Sequence, residues 1–226
     1  MRTPKNAESY LRYPTSTLLA TPGSVRVLRE LLADDRPLSV RSLSERTGLS
    51  AQAIRNTLAT LVTGGLVEEL GRGRGRLYRV QVNHPLYLPL GALFQAEAER
   101  FDTILHGLAT ALSHLRPAPL AAWVYGSVAR GEDRPDSTVE VAVVAADEEV
   151  ETPVTRLRQM VLPIQEVQRV WISLVGLAPS DVRRLAPDDR WWISATRPHL
   201  HLFGKTPEEL VQALERPSTP RGLFRG

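Results

Sequence analysis

Apolar residues recur at helical spacing in the first third of the chain, between residues that start and stop helices. Thr21 before Pro22, Ser39 and Ser50 each predict a helix start, because their side-chain oxygens can cap free backbone N–H groups. Gly48 and Gly64-Gly65 predict the ends of the second and third helices. The apolar positions of the three predicted helices are Val25, Leu28, Leu31 and Leu32, then Val40 and Leu43, then Ile54, Leu58 and Leu61.

A hairpin pattern follows these three helices. Leu66–Leu70 and Leu77–Val82 are predicted strands, joined by the sequence GRGRGR. Three helices followed by a hairpin is the order of a winged helix-turn-helix. The stretch resembles the bacterial winged-helix regulators of the ArsR and MarR kind.

This resemblance implies that the third helix enters the major groove of double-stranded DNA and that the hairpin forms the wing. The predicted helix contacts are side chains that can hydrogen-bond bases or phosphates: Ser50, Gln52, Arg55, Asn56 and Thr60. The predicted wing contacts are Arg72, Arg74 and Arg76, which glycines flank. The alternative is a winged helix that binds another protein.

The charge distribution favours the DNA interpretation. Residues 1–84 carry 13 Lys and Arg against 7 Asp and Glu, a net charge of +6, whereas residues 85–226 carry a net charge of −3. A basic segment of this kind indicates a polyanionic partner. The alternative is a general enrichment in arginine without a function, since Lys5 and Lys205 are the chain's only lysines.

Asn83-His84-Pro85 and Pro89 interrupt the chain, and a long helical pattern then runs to Leu115. Its apolar positions alternate at spacings of four and three residues: Phe94, Ala98, Phe101, Leu105, Leu108, Leu112 and Leu115. Such a heptad pattern predicts a coiled-coil helix that pairs two copies of the chain. The alternative is a connecting helix that packs on its own C-terminal domain.

The sequence LAAWVY predicts a buried strand that leads directly into GSVARG, and Thr138–Val144 predicts the next strand. This segment resembles the signature of the polymerase-beta type nucleotidyltransferases, especially the minimal ones of bacteria and archaea. The resemblance implies that Gly126, Ser127 and Arg130 could bind a nucleotide. It also implies two carboxylates, two residues apart on the second strand, and a third carboxylate on a later strand, which together hold metal ions.

The chain departs from that signature at the metal ligands. Thr138 and Glu140 stand at the two aspartate positions, and the predicted third strand, residues 169–175, contains no acid. The nearby acids Asp133, Asp136 and Asp181 lie in loop-like or helix-start sequence, where capping of turns is expected. Losing the metal ligands removes several kcal/mol of transition-state stabilisation. We therefore expect a pseudoenzyme with no catalytic residue, metal or cofactor.

Two roles stay open for the remaining GSVARG sequence. It could sense a nucleotide effector, or it could serve the fold through a tight turn and a pairing of Arg130 with Glu132 or Asp136. Beyond it, the chain predicts a helix over Thr152–Gln168 broken at Pro163, a helix over Pro179–Leu185, a strand over Leu200–Phe203 and a helix over Thr206–Leu214.

The predicted fold class is α+β, with an N-terminal winged helix-turn-helix, a long connecting helix and a C-terminal nucleotidyltransferase-like mixed sheet with flanking helices. The predicted segments are a flexible N-terminus (1–15), the winged helix (16–84), the connecting or dimerisation helix (85–117), the nucleotidyltransferase-like domain (118–215) and a disordered tail (216–226). Because the chain has no cysteine and no apolar run of roughly 18 residues, it predicts neither disulfides nor a membrane span, and a cytoplasmic location is expected.

The function predicted from these observations is that of a DNA-binding transcriptional regulator. Its expected partners are double-stranded DNA, a second copy of the chain, and either a nucleotide effector or a protein partner. Two alternatives remain: a metal-dependent nucleotidyltransferase that modifies a protein or small molecule, and an antitoxin-like partner of a helical toxin.

Overall fold

A computed structural model of the chain describes residues 9–146, 150–185 and 189–215, with the side chain of Arg74 excepted. The chain divides into two compact units, Met1–Glu99 and Arg100–Gly226. Each unit contains helices and one sheet, so the predicted α+β class is confirmed. The predicted tail lies outside the described residues.

The first unit is mainly helical. Its elements are α1 (Thr15–Leu18), α2 (Pro22–Ala33), β1 (Leu38–Ser39), α3 (Val40–Thr47), α4 (Ala51–Thr63), β2 (Val67–Leu70) and β3 (Leu77–Val80). The strands form an antiparallel sheet in the order β1-β3-β2. β1 was not predicted, since two residues are too few to show an alternating pattern. β3 ends at Val80 rather than Val82, because the chain turns where the His84 amide donates to the Gln81 carbonyl (3.0 Å).

The helix starts follow the predicted caps. The side-chain oxygens of Thr21, Ser39 and Ser50 accept hydrogen bonds from the backbone amides of Ser24, Ser42 and Ala53, at 3.0 to 3.2 Å. Gly48 ends α3 in the left-handed conformation (φ 70°). Tyr10, which precedes α1, also contacts this unit, since its hydroxyl donates to the Gly64 carbonyl (2.7 Å).

The helix α5 (Tyr87–His114) runs across the boundary between the two units. Pro89 lies inside its first turn, where a missing N–H removes no helical hydrogen bond, so the predicted interruption there was wrong. The heptad positions are largely used within the chain. Phe94 is buried in the core of the first unit, and Leu108, Leu112 and Leu115 are buried in the core of the second. Ala98 and Phe101 are exposed.

The second unit is built on a four-stranded mixed sheet. Its remaining elements are β4 (Ala121–Tyr125), α6 (Gly126–Arg130), β5 (Thr138–Val144), α7 (Glu151–Met160), α8 (Leu162–Gln168), β6 (Trp171–Leu177), α9 (Pro179–Leu185), α10 (Arg190–Thr196), β7 (Leu200–Gly204) and α11 (Pro207–Glu215). The strand order is β6-β5-β4-β7, with β5 and β6 parallel and the other pairs antiparallel.

Most elements of this unit follow the predicted pattern, including the helix break near Pro163. β6 begins two residues later than predicted, because Arg169 adopts a left-handed conformation (φ 53°) that ends α8. The helix α10 was missed. Asp189 caps its first turn, because the Asp189 carboxylate accepts a hydrogen bond from the Trp192 amide (3.0 Å).

Both faces of this sheet are covered by apolar side chains. Ala122 and Val124 of β4 point to one buried cluster, and Trp123 and Tyr125 point to the other, as strand alternation requires. Trp123 meets the edge of Trp192 with ring centroids 5.8 Å apart, and its indole N–H donates to the Ala195 carbonyl (2.6 Å). Trp191 meets Tyr125 in the same way. This double packing fixes β4, and with it the start of the GSVARG segment.

Candidate nucleic-acid interface

One face of α4 carries an exposed polar row. Gln52, Arg55, Asn56 and Thr60 are all exposed, and they recur at the three- and four-residue spacing that places them on one side of a helix. The opposite side carries Ile54, Leu58 and Leu61, which are at most 1% exposed. Burial of this apolar side holds the helix against α2 and α3, so the polar row is presented on a fixed support.

Side chains of the polar row bond to one another along the helix. The Gln52 amide donates to the Asn56 side-chain oxygen (2.9 Å), and the Arg55 guanidinium donates to the Gln52 side-chain oxygen (3.4 Å). In the described part of the chain, no hydrogen bond uses the side-chain amide nitrogen of Asn56. The row therefore keeps guanidinium and amide donors for a ligand, while Ser50 uses its hydroxyl to cap the helix.

The predicted wing is the β2–β3 hairpin, and its tip needs glycine. Gly71 and Gly73 have φ angles of 82° and 64°, which residues with a Cβ adopt only with backbone strain. Arg72, between them, is exposed and has no acidic partner among the described residues. The side chain of Arg74 lies outside the described part of the structure.

Two further wing arginines are paired with glutamates of β2. The Arg76 guanidinium lies 3.2 Å from the Glu69 carboxylate, and Arg79 pairs with Glu68, which lies opposite it in the strand register. The sequence analysis missed these acids, although an antiparallel alignment of the two strands would have brought Glu68 to Arg79. An exposed pair of this kind is worth at most about 1 kcal/mol, so Arg76 can leave Glu69 for a phosphate at modest cost.

In the second unit, Gly126 and Glu140 lie against each other. Gly126 follows β4 with φ 76°, and a Cβ at this position would collide with the Glu140 carboxylate. Glu140 stands opposite Tyr125 of β4 and Ser173 of β6 in the sheet register. Burial, and then the Glu140 carboxylate, raise the pKa of Tyr125.

The other acids near this segment serve the local backbone or lie exposed. Arg130 donates to the Glu132 carboxylate (2.7 Å), one of the two pairings expected if the segment serves the fold. The Asp181 carboxylate accepts from the Ala178 amide (3.0 Å) at the start of α9. Within residues 9–146, 150–185 and 189–215, no three His, Asp or Glu side chains gather as they would around a metal ion. Ser127 is half-buried, and Thr138 stands opposite Trp171 in the register.

The order of helices and hairpin in the first unit, with its third strand and polar-faced α4, defines a winged helix-turn-helix. Residues 21–76 match the model of the MarR family, and the same segment contains α2 to α4, β2 and the hairpin tip of the winged helix-turn-helix. No curated protein matches the chain. Among the described residues, no helix combines the length and apolar character needed to cross a membrane.

Proposed function

We propose that the protein is a DNA-binding transcriptional regulator that places α4 in the major groove and its wing against the flanking backbone. The observation that carries this proposal is the coincidence of two features. The MarR-family match spans residues 21–76, and the same segment presents the exposed row Gln52, Arg55, Asn56 and Thr60. The net charge of +6 on residues 1–84 supports attraction to phosphates.

The test is selection of binding sites from random double-stranded DNA with the full-length protein, followed by affinity measurements across a salt series. We expect one sequence to be enriched as two related half-sites, and the affinity to fall steeply as salt rises. Failure to enrich any sequence, with weak binding even at low salt, would contradict the proposal.

The wing makes a separate prediction about salt dependence. Arg72→Ala should weaken binding to all sequences and reduce the slope of log affinity against log salt by about 1, because one phosphate contact is lost. Arg79→Ala is the matched control, since Arg79 lies on the same hairpin but pairs with Glu68. Equal slopes for Arg72→Ala and the wild type would mean that Arg72 does not contact a phosphate.

We further propose that the second unit is a nucleotidyltransferase-like domain without transferase activity. Support comes from the succession of β4, α6 and β5, which carries GSVARG at the expected turn, and from the parallel strand β6. At the positions of the family's three carboxylates, only Glu140 is acidic. Thr138 takes the first position, and Ser173 faces Glu140 from β6. One carboxylate cannot hold the metal ions that this chemistry uses.

The activity prediction uses Glu140→Ala. We expect the wild type to transfer no label from radioactive ATP or GTP to protein or small molecules in the presence of Mg²⁺, and the variant to behave identically. The variant should also bind the selected DNA within about twofold of the wild type, because Glu140 lies outside the winged helix. If the wild type transfers label in the presence of Mg²⁺ and Glu140→Ala does not, the protein is instead a metal-dependent transferase.

A further inference from the structure

An exposed apolar hollow lies at the start of β6. Trp171 is 72% exposed and Leu162 of α8 is 44% exposed. Both line a hollow of about 390 Å³, whose complete lining is Leu162, Gln165, Glu166, Arg169, Val170 and Trp171. Contiguous exposed apolar surface marks interaction sites, and aromatic residues are enriched in protein interfaces. We call these six residues the Trp171 patch.

The backbone beside the Trp171 patch disfavours the addition of another strand. β6 is the outermost strand on its side of the sheet, so its free edge could in principle accept another strand. The Ile172 amide, however, already donates to the side-chain oxygen of Gln165 (2.8 Å). A peptide that added a strand here would have to displace this bond. The patch is therefore suited to side-chain packing rather than strand addition.

The Trp171 patch carries one acidic and one basic side chain, so its charges can pair with those of a second copy of the same patch. Glu166 and Arg169 flank the apolar residues, and within the described part of the chain neither forms an ion pair. In an interface with two-fold symmetry, the same surface is present on both sides. Glu166 can then face Arg169 of the second copy, and Arg169 can face the second copy's Glu166, around a centre formed by the two Trp171 rings.

We propose that the Trp171 patch is a homodimer interface of the second unit. A patch with a single sign of charge would favour a different protein of opposite charge, whereas one acid and one base around an apolar centre favour a second copy of this chain. The surface has the composition found in interface cores, with an aromatic anchor and few charges at the centre. The proposal does not depend on DNA binding, because self-association is measured on the protein alone.

The first experiment is analytical ultracentrifugation of the full-length protein without DNA. The wild type should sediment as a dimer at micromolar concentration, and Trp171→Glu should sediment as a monomer. Ile193→Glu is the matched control, because Ile193 is a 48% exposed apolar residue that lines a different hollow of the same unit. It should remain a dimer. A monomeric wild type, or a Trp171→Glu dimer of wild-type affinity, would overturn the proposal.

The second experiment exchanges the charges, which are exposed and whose replacement leaves the core intact. Glu166→Arg and Arg169→Glu should each weaken self-association at least about tenfold, because like charges then face each other across the interface. An equimolar mixture of the two variants should regain dimers, since one surface is then wholly basic and the other wholly acidic. Variants that dimerise normally alone, or a mixture that stays monomeric, would show that the interface lies elsewhere. Neither outcome bears on the DNA selection experiment.

Discussion

The double variant Arg55→Ala/Asn56→Ala is expected to bind the selected DNA site at least about 100-fold more weakly than the wild type. Both side chains lie on the exposed row of α4, and both keep donors that no described residue uses. Arginine and asparagine are the side chains that read guanine and adenine by paired hydrogen bonds, and each such contact is worth about 1–3 kcal/mol. Losing two of them therefore removes most of the discrimination between sequences.

Binding competition distinguishes this loss from a general loss of charge. The affinity for unrelated DNA should fall only a few-fold, because the wing and the remaining basic residues still contact phosphates. The matched control is Arg158→Ala/Gln159→Ala, which removes an arginine and an amide from an exposed face of α7 in the second unit. The control should bind the selected site as the wild type does. If the α4 variant also does so, α4 does not read the DNA sequence.

Trp123→Ala is expected to destabilise the second unit by about 3–5 kcal/mol, the range for removing a buried large aromatic side chain. Trp123 is fully buried. Its removal leaves a cavity beside Trp192, and the Ala195 carbonyl loses the indole N–H that donates to it. Trp123→Phe keeps much of the ring and should lose less, about 1–3 kcal/mol, mainly through that unpaired carbonyl.

Differential scanning calorimetry with chemical denaturation measures this effect. The transition of the second unit should move to lower temperature in the order wild type, Trp123→Phe, Trp123→Ala. Ile193→Ala, at a partly exposed position of α10, the helix that carries Trp192, should change stability by less than about 0.5 kcal/mol. A Trp123→Ala loss below about 1 kcal/mol would mean that β4 is not held by this packing.

The local signals of the sequence predicted much of the fold. Thr21, Ser39 and Ser50 cap helices where their side chains suggested, because a cap depends on a few neighbouring residues. The MarR-family match over residues 21–76 supports a winged helix in the segment predicted to hold one, residues 16–84. The likeness of the second unit to nucleotidyltransferases stays a prediction.

Features that depend on distant residues were left open or missed. The spacing from Phe94 to Leu115 suits pairing of two chains, but packing against the chain's own cores produces the same spacing, and five of those residues pack in this way. Pairing of two chains through this helix stays a prediction. The sequence likewise treated the wing arginines as equivalent. Strand pairing makes Arg72 and Arg76 differ, because it brings the Glu69 carboxylate to Arg76 and not to Arg72.

The hydrogen bond from Ile172 to Gln165 also bears on how far self-association can proceed. An open sheet edge allows strands to add without limit, which leads to fibres and precipitation. Because the Ile172 amide donates to Gln165, a strand added at the start of the β6 edge would have to displace that hydrogen bond. In the proposed dimer, the Trp171 patch of each copy is buried against the other, so no apolar patch of this kind is left for a third copy. Exposure of the Trp171 indole is then consistent with a closed assembly of two copies.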